Sequence, residues 1–288
     1  MKWLGVISLF ITTHIFGQEL FILNEPASSV PKGVLGVRVF SQHFKEVNTT
    51  RSLGAFRLMY GVLPRLTLMA TVTGSNHHDR KLPPDLINHS HSGNQTNYYT
   101  TNIKRGVKYP FLINGVYLFT KFRIISIDKQ NQHFRLALYA DWSSLNSAHD
   151  EAEPNLMDDT SGYGGGFIAT WLKNRFAASL TSGFIKPRTY SENQPDFTGG
   201  PDLPTKIYYG DAFRYNLSLG YRLFPKRYAD YNQPNWNVYV EFMGKQYDAA
   251  RVIQNGTEIT AKAIALRAGH YVEVHPGIQH IVKSNLRL

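Results

Sequence analysis

The 288-residue chain carries 31 Lys and Arg against 21 Asp and Glu, a net charge of +10, and it has no Cys. The missing Cys excludes a disulfide scaffold, a thiolate metal site and a lipoprotein anchor. The basic residues are scattered singly, which excludes the basic run or recognition helix of a nucleic-acid binder.

Met1-Lys2 gives a short positive start, and Trp3 to Phe16 is mostly apolar, broken by Ser8, Thr12, Thr13 and His14. Gly17 then offers the small residue that a signal peptidase accepts. This is the layout of a secretory signal, so residues 1–17 are read as a cleaved signal peptide and Gln18 or Glu19 as the mature start. Residues 18–32, with Pro26 and Pro31, read as a lead-in segment, either flexible or a periplasmic plug. Residues 33–288 read as one domain. No later apolar run reaches the ~20 residues of a transmembrane helix before it meets a charge. Membrane residence would then require a closed barrel, the other structure that satisfies its backbone inside lipid. A mean hydropathy of -0.30 fits such a barrel, because half of each strand faces water. The 17 Tyr, 17 Phe and 23 Gly suit strands, interfacial girdles and tight turns.

In chain order, alternation of period two covers 33–44, 52–62, 65–74, Val116 to Ile124, His133 to Trp142, 162–173, 175–185, Tyr209 to Leu223, Trp236 to Lys245, 262–274 and 277–288. His133 to Trp142 is the clearest. Phe134, Leu136, Leu138, Ala140 and Trp142 share one face, and His133, Arg135, Ala137, Tyr139 and Asp141 share the other. Short connections fall at Leu63-Pro64-Arg65, Asp128 to Gln132, Lys173-Asn174 and Pro276-Gly277. Long ones cover 75–102, 144–161, 186–206 and 246–261. Gly164-Gly165-Gly166 opens a strand, with no helix after it to make a phosphate loop, and reads as a bulge or kink. Long strands with alternately short and long connections predict an all-β fold. The fold class is an antiparallel transmembrane β-barrel of about twelve strands. Eleven strands are legible and the chain ends without a terminal aromatic, so the last strand is expected to be absent from this chain.

Several stretches carry a family resemblance: Phe21-Ile22-Leu23-Asn24-Glu25-Pro26, Asn114-Gly115-Val116-Tyr117-Leu118-Phe119, Ala148-His149-Asp150-Glu151, Gly162-Tyr163-Gly164-Gly165-Gly166 and Ser284-Asn285-Leu286-Arg287-Leu288. In these the chain resembles outer-membrane β-barrel proteins of the Bacteroidota type, some grouped with the phenol-degradation (MetA-pathway) transporter-like family. The resemblance implies an outer-membrane location and a transport role. It supplies no catalytic residues and no solute.

If the apolar faces point to lipid, the opposite faces line a lumen. The inward basic residues are then Arg38, Arg57, Lys121, Arg123, Arg135, Arg175, Arg214, Arg222, Lys245, Arg267 and Arg287, against the acids Asp141, Glu241 and Glu273. Rings of Arg and Lys attract anions. His77, His78, Asp79, Asp85, His89 and His91 crowd the first long connection, and imidazole with carboxylate suits Zn, Cu, Ni or Fe. Their spacing matches no defined site and Pro83-Pro84 divides them, so a solvated loop is the favoured reading over a loop-bound divalent metal. No other cofactor is expected. The second long connection, with His149, Asp150, Glu151, Glu153, Asp158 and Asp159, reads the same way. Ser41 and His43 share a strand face, as a lipid-facing hydrolase would need, but no nucleophile motif surrounds them and no enzyme is expected. The reading is an outer-membrane channel or transporter of a Gram-negative bacterium, for a small and anionic solute. Its partners are the bilayer and that solute, and no nucleic acid. The alternative is a surface barrel with an adhesive, structural or metal-binding role.

Overall fold

Branched and aromatic side chains at every second position favour extended backbone, and the computed structural model is extended over most of its described length. It describes residues 21–46, 49–76, 110–145, 161–194, 196, 201–227, 233–259, 266–283 and 286–287. The strands are β1 (Leu35–Glu46), β2 (Thr49–Leu63), β3 (Leu66–Ser75), β4 (Leu112–Lys129), β5 (Gln132–Leu145), β6 (Gly162–Lys173), β7 (Phe176–Pro187), β8 (Tyr190–Gln194), β9 (Leu203–Tyr208), β10 (Ala212–Phe224), β11 (Asn235–Tyr247), β12 (Arg251–Gln254), β13 (Thr257–Ile259), β14 (Gly269–Lys283) and β15 (Leu286–Arg287). No helix among the described residues is long and apolar enough to cross a membrane.

Eleven strands form one antiparallel sheet in the order β1-β2-β3-β4-β5-β6-β7-β10-β11-β14-β15. Among the described residues no ladder joins β1 to β14 or β15. The sheet curls strongly. Arg38 of β1 donates to the carbonyl of Ile22 at 3.2 Å, and the amide of that same residue donates to Glu241 of β11 at 3.1 Å. Eight strand spacings separate β1 from β11, about 38 Å in a flat sheet at ~4.8 Å each. One residue can touch both only if the sheet wraps around it.

The wrap sorts the two faces. On β5 Leu138 and Trp142 are exposed on the outer side, while Ala137 and Tyr139 are buried on the inner side. The same division places Val39, Phe56, Phe184, Leu217 and Ile278 outside and Met59, Ile168 and Ser218 inside. The expected alternation is therefore present, with its apolar face uncovered and its polar face enclosed. Trp142, Trp171 and Trp236 all lie on the outer face close to strand ends.

Four features differ from the expectation. The chain does not turn at Pro276-Gly277: β14 runs through both, with Pro276 opposite Val240. Pro lacks an N–H, and β14 tolerates it because no other ladder engages that stretch among the described residues. Consequently the patterns at 262–274 and 277–288 share one strand among the described residues, β14, which begins at Gly269; residues 262–265 lie outside the described residues. The connections at 186–206 and 246–261 are not plain loops. They supply β8, β9, β12 and β13, which pair as a second sheet in the order β13-β12-β9-β8. A two-residue turn at Asn255 (φ 49°) and Gly256 (φ 80°) closes the β12–β13 hairpin, the positive-φ turn that Asn-Gly favours. Finally, Gly164-Gly165-Gly166 makes no bulge. β6 pairs continuously with β5 and β7 through all three. The inner-face glycines instead make room: a Cβ on Gly164 would strike the Asp141 carboxylate, and one on Gly183 the Tyr139 hydroxyl.

Candidate functional site

The enclosed face is built first by residues 21–30, which run through the interior. Three backbone amides there, of Ile22, Leu23 and Asn24, donate to the Glu241 carboxylate at 3.1, 2.9 and 2.8 Å. Ser218 donates to the same group at 3.0 Å, and Glu241 is fully buried. A buried charge needs such partners, since burying it bare would cost several kcal/mol. Further along, Glu25 takes Arg57 at 2.6 Å, Arg38 at 3.5 Å and Lys121 at 3.7 Å. Ala27 N–H donates to Thr170 Oγ1 at 2.8 Å, Ser28 Oγ accepts from Arg135 at 2.8 Å, and Val30 N–H donates to Thr67 Oγ1 at 2.9 Å. Asn24 Oδ1 accepts from Thr181 at 2.6 Å. Thr67 of β3, Thr170 of β6 and Glu241 of β11 thus stand where a β-partner would otherwise satisfy this segment's backbone amides. The segment then leaves through a turn at Gly33 (φ 78°), whose N–H bonds Gly61 O at 2.7 Å, and enters β1. Residues 21–30 are thus held inside the curl by side chains of the sheet, and they are called the plug below.

The plug fills the half of the interior near the short turns. Toward the long connections a cavity of about 420 Å³ remains, floored by residues 22–25. Its walls combine rings, among them Tyr117, Phe119, Tyr139 and Tyr239, with charges. Arg214 holds Asp141 at 2.6 Å and lies 5.5 Å from the centre of the Tyr139 ring. Tyr117 donates to the same carboxylate at 2.9 Å. Arg214 and Lys245 face each other across the β10–β11 ladder, a pairing of like charges that by itself is unfavourable. Glu273 and His275 of β14 pair at 3.0 Å on the same cavity.

Of the basic residues expected inside, Arg38, Arg57, Lys121, Arg123, Arg135, Arg214, Arg222 and Lys245 are on the inner face of the curl. Arg175 is not a lumen residue. It sits in the β6–β7 turn, donates to the carbonyls of Arg222 and Leu223 at 2.8 and 2.6 Å, and covers the ring of outward-facing Tyr221. Arg267 is exposed ahead of β14, because the strand starts two residues after it. Arg287 stands in β15, and its side chain lies outside the described ones. Glu241 and Glu273 line the cavity, and the Asp141 side chain is buried against Arg214. Glu25 was not among the expected acids. It is the one carboxylate between residues 20 and 45, which is the signal available in the sequence, but nothing periodic marks its direction.

His77, His78, Asp79, Asp85, His89 and His91 fall outside the described residues, as do the acids of the second long connection. Among the described residues no three His, Asp or Glu are grouped to hold a metal. A comparison with protein-family models and with curated proteins finds no match to this chain.

Proposed function

We propose that the chain is an exported outer-membrane β-barrel that passes a small anionic solute through a lumen gated by its own N-terminal segment. The observation that carries this reading is the cavity above the plug. It is closed below by residues 22–25, and its charged lining sets Arg57, Arg214 and Lys245 against Glu25, Glu241 and Glu273. Over the whole inner face Arg38, Arg57, Lys121, Arg123, Arg135, Arg214, Arg222 and Lys245 stand against Glu25, Asp141, Glu241 and Glu273, so the surplus charge of the interior is positive. A low-dielectric wall sharpens the field of that surplus. The outer face supports membrane insertion. Turned to lipid, its apolar residues lose water, and Trp142, Trp171 and Trp236 stand where girdles belong. We place the barrel in the outer membrane of a Gram-negative bacterium, closed at about twelve strands and directed to export by residues 1–17. The long connections face outward from the cell on this reading.

The plug itself favours the second reading, a filled barrel that conducts nothing and acts at its surface. Planar-bilayer recording of the purified chain separates the two. The gated-channel reading predicts rare openings in the wild type, frequent openings in Glu25→Ala/Glu241→Ala, and a reversal potential on the anion side in a salt gradient. Cation selectivity would remove the anion assignment. Silence from both proteins, with the variant's plug shown released by proteolysis, would establish the filled barrel.

A further inference from the structure

A second constellation sits on the outer face of β1, the edge strand that also borders the cavity. Ser41 and His43 of β1 are two residues apart, so they share the outer face with Val37 and Val39. Ser41 Oγ lies 2.7 Å from His43 Nε2. His43 Nδ1 lies 2.9 Å from the Oγ of Ser52, its direct cross-strand partner on β2. Ser52 is fixed in turn, its backbone N–H donating to Asn76 Oδ1 at 2.7 Å. A hydroxyl, an imidazole touching it and a polar group on the far ring nitrogen make the nucleophile–base–orienter order of an acyl-transfer site. When Nδ1 carries the proton and donates it to Ser52, Nε2 is left with the lone pair that Ser41 needs. Ser41 faces Gly54, which leaves space beside the nucleophile, and Phe111 edges that space. Val39 and Phe56 flank it with exposed apolar surface suited to an acyl chain.

We propose that Ser41 and His43 are catalytic residues for hydrolysis of long-chain carboxylic esters at the outer face, with Ser52 as the positioning residue. Ser41 Oγ adds to the ester carbonyl carbon while its proton passes to Nε2. The bond to the alcohol oxygen breaks, and that oxygen takes the proton from His43. Water then repeats the sequence on the acyl-serine, releasing a carboxylic acid and restoring Ser41. Because the third member is a hydroxyl, no fixed negative charge steadies the imidazolium, and turnover is slow. That the ester belongs to a membrane lipid rests on the proposed membrane insertion; the ester chemistry does not.

The test uses the purified full chain. A fluorophosphonate probe is expected to label Ser41, mapped by mass spectrometry, and p-nitrophenyl palmitate in micelles is expected to be cleaved. Ser41→Ala and His43→Ala should each reduce the rate by at least ~100-fold while β-structure by circular dichroism is retained. Ser52→Ala should reduce it about tenfold. Ser52→Asp should restore it and move the acid limb of the pH–rate profile upward, which a merely structural role would not do. Cleavage of micellar ester without cleavage of phosphatidylcholine vesicles overturns the membrane source alone. An unlabelled Ser41, or an unchanged rate in Ser41→Ala, overturns the site, and neither result bears on conductance through the lumen.

Discussion

Glu241 illustrates how one side chain can hold a segment it is far from in sequence. Its carboxylate replaces the β-partner that Ile22, Leu23 and Asn24 lack. Hydrogen bonds to a charged group are worth ~1.5–3 kcal/mol, so Glu241→Ala is expected to weaken the plug by about 3 kcal/mol. Amide exchange at residues 22–24 should then quicken roughly 100-fold, and unchanged protection would refute the tie. Asp128 lies at the other limit, exposed at the short-turn end of β4, a strand of 18 residues against the ~9–11 a membrane requires. The Ser126 hydroxyl first, then His133 and Arg135, hold its carboxyl down at about 2. A carboxylate depressed in the folded state stabilises above its ordinary value near 4. That contribution is lost as pH falls through about 2. Carboxyl-detected NMR should find the Asp128 midpoint near 2, moved upward in Ser126→Ala; a midpoint near 4 in the wild type would contradict the network. The His133 and Arg135 contacts were not legible beforehand, because those residues meet Asp128 only once the β4–β5 turn has closed, whereas Ser126 lies two residues away on the same strand.

At the scale of the element, strands were readable and their joints less so. The alternation of His133 to Trp142 maps onto β5 face by face, because period two follows directly from pleated geometry. Joints depend on single residues whose signals compete. Pro276-Gly277 carries turn composition, yet a strand edge free of ladder bonds accepts Pro, and β14 continues. Asn255-Gly256 carries an equally local signal and does turn. The plug has no period at all, since its amides are met by side chains from β3, β6 and β11, so its path could not be read from the lead-in. Asn131 and Asn174 sit at φ 59° and 56° in the two-residue joints between β4 and β5 and between β6 and β7. Asn and Gly tolerate that region and β-branched residues do not. Asn174→Gly should leave stability unchanged within a few tenths of a kcal/mol, and Asn174→Val should cost about 1–2 kcal/mol. Urea titration of the detergent-refolded protein checks the pair, and equal midpoints for the two variants would contradict the assignment of strain.

For the whole molecule the central inference is which side meets lipid. The curl encloses Arg57, Lys121, Glu241 and Lys245 and leaves Leu138, Phe184, Leu217 and Ile278 uncovered. In water that arrangement exposes a broad apolar wall, which a folded soluble protein rarely does. In a bilayer the same wall is solvated, while turning the inner cations outward would cost ~2–4 kcal/mol each at mid-membrane. The sequence pattern had already assigned the two faces, because each strand's charge and its greasy residues have opposite parity. What it could not tell is how full the interior is, since that is decided by the plug. The direct measurement is collisional accessibility of spin labels placed one at a time at Leu138 and Leu217 on the outer face and at Ala137 and Asn216 on the inner face, with the protein in phosphatidylcholine vesicles. The account predicts that the outer labels collide freely with oxygen and scarcely with a water-soluble nickel chelate, and that the inner labels are shielded from oxygen in lipid. Outer labels open to the nickel chelate, or immobilised against a second layer of protein, would contradict it.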